Sequence, residues 1–112
     1  MTPPPLLVAQ KGRSMTEALF FEFAGVSAND YNAVNAILGL DPVAGGGDWP
    51  AGLLSHTGAA GAEGNFMVFE VWDSRESQGA FMASRLGPAL AQAQLSEPKR
   101  LEWLTVKGHY SP

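Results

Sequence analysis

The stretch Val68–Leu90, VFEVWDSRESQGAFMASRLGPAL, decides how the whole chain is read. It continues a dense run, Phe66–Trp72 (FMVFEVW), whose aromatic and β-branched content predicts a strand. Ser74 stands where a helix N-cap is wanted, and Met82, Leu86 and Leu90 follow at i, i+4 and i+8. Pro88 falls inside that spacing, so the helix is expected to kink or divide at Leu86-Gly87-Pro88.

The same plan stands upstream. Residues 17–23 (EALFFEF) read as a strand, and Ser27 with Asp30 forms a carboxylate variant of the capping box. Tyr31, Val34, Ile37 and Leu38 recur at helical spacing, and Gly39 sits where the helix ends. A turn-rich loop leads to a short strand, Leu53–Thr57, and a Gly-rich connection, GAAGAEGN, leads back to Phe66. Arg100–Val106 (RLEWLTV) supplies a last strand. The order β-α-β-β-α-β predicts an α+β, ferredoxin-like domain with an antiparallel sheet.

The chain has 112 residues, 46 % of them apolar and 16 % charged, which fits one globular domain at 16–112 behind a flexible tail at 1–15. Met15, just before the structured pattern, is a candidate translation start. The net charge is -4 with scattered basic residues, which argues against nucleic acid. No apolar run is long enough to span a membrane, and no signal peptide is apparent, so a cytoplasmic location is the default. The absence of cysteine excludes disulfides and thiolate chemistry. GGGD at 45–48 lacks the ending of a phosphate-binding loop, and no metal-ligand spacing is present.

Alternation along the first and third strands implies two apolar faces. Leu19, Phe21 and Phe23 with Met67, Phe69 and Val71 are expected under the helices. Ala18, Phe20 and Glu22 with Phe66, Val68, Glu70 and Trp72 are then expected on the other face, which is too apolar to stay wet. Its natural cover is a second copy of the same sheet, so a homodimer is expected.

On that reading Glu22 and Glu70 share the non-helical face. They form either a proton-holding pair of carboxylates or two structural ion-pair partners. His56, on the second strand, is either a base or a satisfied strand histidine, and both Leu54-His56 and Leu53-Ser55-Thr57 are possible inward sets. Trp72 either stacks on an aromatic ligand or packs in the core. Arg85 either anchors a carboxylate, such as Glu70 of a second copy, or lies on a solvated helix face.

Residues 66–93, FMVFEVWDSRESQGAFMASRLGPALAQA, resemble the antibiotic biosynthesis monooxygenase-like group of the dimeric α+β barrel superfamily. The likeness rests on a strand ending in Val-Trp, an Asp-Ser turn, and a helix with an early Phe. It extends over about residues 17–108, through GLLSHTGAAGAEGN and RLEWLTVKG. The resemblance implies a homodimer whose sheets face each other, with a pocket between sheet and helices or inside the barrel. It further implies a cofactor-independent monooxygenase acting on a small aromatic or quinol-like metabolite. His56 or Glu70 is then the base, and Trp72, Glu22 and Arg85 contact substrate. The haem-degrading branch fits poorly: Trp72 matches its strand-end Trp, but GPALAQAQL has no histidine and EALFFEF no asparagine. A non-catalytic dimer of the same fold, binding a small molecule or purely structural, is the alternative.

Overall fold

A computed structural model describes residues 16–110. The expected tail and the candidate start at Met15 lie outside the described residues. Strand β1 is Glu17–Ala24, helix α1 Ala28–Leu38, strand β2 Leu53–Ala60 and strand β3 Asn65–Trp72. They are followed by helix α2 at Arg75–Phe81, a π-helical turn at Met82–Leu86, helix α3 at Gly87–Gln92 and strand β4 at Arg100–Thr105. The sheet order β2-β3-β1-β4, with every pairing antiparallel, is the ferredoxin-like arrangement expected from the element order.

The caps form as the sequence predicts. Ser27 accepts from the Asp30 amide at 3.1 Å, while Asp30 Oδ2 accepts from the Ser27 amide at 2.9 Å. Gly39 closes α1 in the left-handed region with φ 74°, which a side chain would resist. Pro88 divides the second helical segment through the π-helical turn just before it: the Gly87 amide reaches back to the Met82 carbonyl. A Cβ on Gly87 would lie 2.9 Å from that carbonyl oxygen, so glycine lets the turn close.

Register corrects the expected faces. In an antiparallel pair, residues opposite one another share a face. Phe21 stands opposite Val68, Phe23 opposite Phe66 and Leu19 opposite Glu70. The face under the helices therefore carries Leu19, Phe21 and Phe23 with Phe66, Val68, Glu70 and Trp72. The open face carries Phe20 and Glu22 with Met67 and Phe69. Each strand alternates as expected, but β3 is inverted relative to β1.

The core forms between the sheet and the helices, around Leu19, Phe21, Phe23, Phe66, Trp72 and Phe81. From α1, Tyr31, Val34, Asn35 and Leu38 face inward, a stripe at i, i+3, i+4 and i+7. Ile37 falls off that stripe and is exposed. Strand β2 runs three residues past its expected end, and its register shifts between Leu53 and Ser55.

Candidate functional site

Helix α1, strands β2 and β3, and the loop before β2 meet around an apolar cavity. It offers about 60 Å³ to the centres of water molecules. Its walls include Phe21, Phe23, Phe66, Phe81 and Leu86, and its polar end is made by Tyr31, Asn35, His56 and Glu70. A shallower groove of about 270 Å³ adjoins it and shares Trp49, Leu53 and His56.

The register shift explains the position of His56. Leu53 stands opposite Trp72 and His56 opposite Glu70, so both face the helices although they are three residues apart. Neither strictly alternating set gives that result. A bulge does, because one extra residue changes the parity of the strand, and it leaves Leu54 exposed.

Cross-strand pairing then joins His56 to Glu70, with Nδ1 2.8 Å from Oε2. On the other carboxylate oxygen, Trp72 Nε1 donates to Oε1 at 3.0 Å. The Tyr31 hydroxyl meets His56 Nε2 at 2.5 Å. The donors fix the direction of the chain: with Glu70 as a carboxylate, His56 donates through Nδ1 and its bare Nε2 accepts from Tyr31. A buried carboxylate, 4 % exposed, thus ends a relay of Tyr31, His56 and Glu70. An imidazole held in that tautomer can take a proton at Nε2 and keep the resulting charge beside Glu70.

Tyr31 fits this place because of a glycine. Its ring stacks on Phe66 at 4.6 Å between centroids and lies nearly parallel to His56. A Cβ at Gly58 would stand 2.6 Å from Tyr31 Cζ, so the strand has a notch under the phenol. Burial raises the Tyr31 pKa above its ordinary value, and the charge of Glu70 raises it further. The Asn35 amide acts in the opposite direction as a dipole near the phenol oxygen, although its Nδ2 meets no acceptor in hydrogen-bonding geometry. The phenol is therefore kept neutral, as a donor to His56.

Trp49 closes the site from the loop. The loop folds back on the end of α1: the Asp48 amide bonds the Gly39 carbonyl, and Leu40 bridges to Gly47. Gly47 has φ 114°, and a Cβ there would lie 2.3 Å from the Gly39 oxygen, which accounts for glycine at that position. Trp49 Nε1 bonds the Gly46 carbonyl at 3.1 Å, and its ring lies 5.4 Å from that of His56.

The structure brings together His56, Glu70 and Trp72 and separates the other two expected residues. Glu70 faces the cavity under the helices rather than a chamber between subunits. Trp72, fully buried, does not line the cavity; it holds Glu70. Glu22 lies on the opposite face, so the two carboxylates form no pair; it accepts from Asn65 Nδ2 at 2.8 Å and approaches Lys99 at 3.8 Å. Within the chain the carboxylate that Arg85 approaches is that of Asp48, at 3.8 Å, not Glu70. The Arg85 guanidinium donates to the Leu38 carbonyl at 2.9 Å and lies over Phe81, tying the π-helical turn to the end of α1. Tyr31, placed by its spacing on the first helix, and Trp49 and Asn35, not singled out in the sequence, complete the site.

No family model matches the chain, and no curated protein does. Solved structures do. A Chloroflexus aurantiacus protein provisionally described as an antibiotic biosynthesis monooxygenase superposes with a TM-score of 0.60 at 20 % identity, covering 86 % of this chain and 97 % of its own. A variant of SnoaB, a cofactor-independent oxygenase from Streptomyces nogalater, gives 0.60 at 12 % identity over 85 % and 96 %. A Streptomyces coelicolor monooxygenase in complex with nanaomycin D gives 0.51 at 21 % identity over 94 % and 97 %. The chain has the fold of the antibiotic biosynthesis monooxygenases. Within that fold, the cavity between sheet and helices is where this chain concentrates its polar side chains among apolar walls. No helix among the described residues is long and apolar enough to cross a membrane.

Proposed function

We propose that the chain is a cytoplasmic, homodimeric, cofactor-independent monooxygenase acting on a small aromatic or quinol-like metabolite. The observation that carries this reading is the Tyr31–His56–Glu70 chain at the polar end of an otherwise apolar cavity. A phenol or anthrone needs one proton removed to become an electron-rich anion that can itself reduce O₂. His56 Nε2 accepts a proton relayed through the Tyr31 hydroxyl, and Glu70 holds the tautomer and balances the imidazolium. The dry walls keep the anion from being quenched by water. One oxygen atom enters the ring as a quinone carbonyl, and the other leaves as water with two hydrogens from the substrate.

The homodimer is supported by the open sheet face, where Phe69 is 42 % and Leu104 40 % exposed beside Phe20. A second sheet laid on this face buries all three.

Oxygen uptake with a panel of anthrones and hydroquinols tests the reading. The wild type is expected to consume one O₂ per substrate with at least one of them, forming the quinone from an anthrone or the hydroxyquinone from a hydroquinol. His56→Ala is expected to lower the rate about 10²-fold or more, and Glu70→Gln to lower it with little change in KM. Saturable binding across the panel with no oxygen uptake returns the chain to the non-catalytic alternative.

A further inference from the structure

Among the described residues, two buried side-chain nitrogens have no hydrogen-bond partner: Asn35 Nδ2 and Gln78 Nε2. Only Asn35 lines the cavity. It is 6 % exposed, and it occupies the inward stripe of α1, one turn after Tyr31, where an apolar residue would pack more favourably. An orphaned buried donor costs about 1–3 kcal/mol. A fold that retains one beside a cavity has a use for it when the cavity is filled. The terminal torsion of Asn is broad, so turning the amide toward an oxygen in the cavity costs little.

We infer that Asn35 Nδ2 and the Tyr31 hydroxyl oxygen form the recognition point for one oxygen of a neutral, single-ring phenol. This rests on the oxygenase reading of the same cavity and deepens it by naming what selects the substrate. The phenol hydroxyl donates to Tyr31 Oη, whose own proton points to His56 Nε2, while Asn35 donates to a lone pair of the phenol oxygen. Moving both protons one step toward His56 leaves a phenolate held by Asn35, a neutral Tyr31, and an imidazolium beside the Glu70 carboxylate. Charge and protons balance without further groups.

Size sets the class. The inner cavity, at about 60 Å³, holds several times the ~10–15 Å³ needed for one water but less than half of the ~150 Å³ of a dry cavity that binds benzene. A ring whose oxygen sits at Asn35 must therefore extend past Trp49 into the adjoining groove. One ring reaches that far. A negative substituent at the inner end would meet Phe21, Phe23 and Phe66 beside the Glu70 carboxylate and be left without a partner.

The test uses phenol and toluene, which differ by one hydroxyl for one methyl, with binding read from Trp fluorescence. The wild type is expected to favour phenol at least about tenfold. In Asn35→Leu that preference is expected to fall to within about threefold while toluene binds as well or better. An unchanged preference in a folded Asn35→Leu protein overturns the inference, as does wild type that binds neither compound. The Asn35 side-chain amide resonances of the unaltered protein give a readout free of any variant. They are expected to shift with phenol and not with toluene; no shift with phenol, or equal shifts with both, overturns it. Because every readout is binding, a protein that selects phenol through Asn35 but consumes no O₂ separates this inference from the oxygenase reading.

Discussion

The dipeptide Phe-Glu occurs twice on central strands, as Phe21-Glu22 on β1 and Phe69-Glu70 on β3, with opposite outcomes. Phe21 is buried under the helices and Glu22 lies on the open face with Asn65 and Lys99. Phe69 is half exposed on the open face, and Glu70 is buried with two N–H donors. The residues are the same and so is their order; only the pairing register differs. Burial turns one carboxylate into the anchor of a relay and leaves the other a rim residue.

The largest expected difference lies between the two phenylalanines. Phe21→Ala opens the core and is expected to cost about 3–5 kcal/mol, whereas Phe69→Ala is expected to cost under about 1 kcal/mol within one subunit. Urea unfolding measures both, and light scattering is expected to show that only Phe69→Ala weakens self-association. Equal costs for the two would mean that the faces are not distinguished by the helices.

The carboxylates come next. Glu70→Ala strands the N–H groups of His56 and Trp72, and at about 1–3 kcal/mol per orphaned donor the expected loss is about 2–6 kcal/mol. Glu22→Ala removes contacts at the rim and is expected to cost under about 1 kcal/mol. In thermal melts, each kcal/mol corresponds to roughly 4–8 °C for a domain of this size.

Two glycines sharpen the contrast between a filled face and a free one. Gly58→Ala drives a methyl into the Tyr31 ring and is expected to cost about 1–3 kcal/mol. Gly79→Ala, in the interior of α2 with open space around it, is expected to stabilise by up to about 1 kcal/mol. Melting temperatures moving in opposite directions are the expected result.

The smallest effect is a titration. The chain has two tyrosines, Tyr31 and the exposed Tyr110. Because the folded-state pKa of Tyr31 is raised above 10.0, its contribution to stability is fully present below that pH and is lost as pH rises through the folded value. Alkaline difference absorbance is expected to show Tyr31 ionising above its ordinary range. Glu70→Gln removes the charge that adds to the effect of burial on Tyr31 and is expected to lower its pKa.

Local signals were legible in the sequence wherever the controlling interaction is local. Ser27 with Asp30, Gly39, Ser74 and the division at Pro88 all act within a few residues of themselves. The element order gave the sheet order for the same kind of reason, because few connections satisfy it. Register is different, since it depends on which residues of two distant strands meet, and the two apolar faces of β3 are nearly interchangeable by composition. The facing of His56 hung on a bulge that alternation cannot encode. Tyr31 looked like core because its stripe is apolar; Asn35, the one amide in that stripe, was the visible irregularity. Trp49 sits in a glycine-rich loop, where periodicity carries no information.

The loop that carries Trp49 bonds mainly to itself and to the end of α1, while the proton-handling groups stand on the sheet and on α1. Substitutions in residues 41–50 can therefore alter the outer wall without unseating His56 or Glu70. Variation is cheap there and costly at the relay. A set of loop exchanges on this one scaffold is a direct route to altered ligand size, with the chemistry held constant.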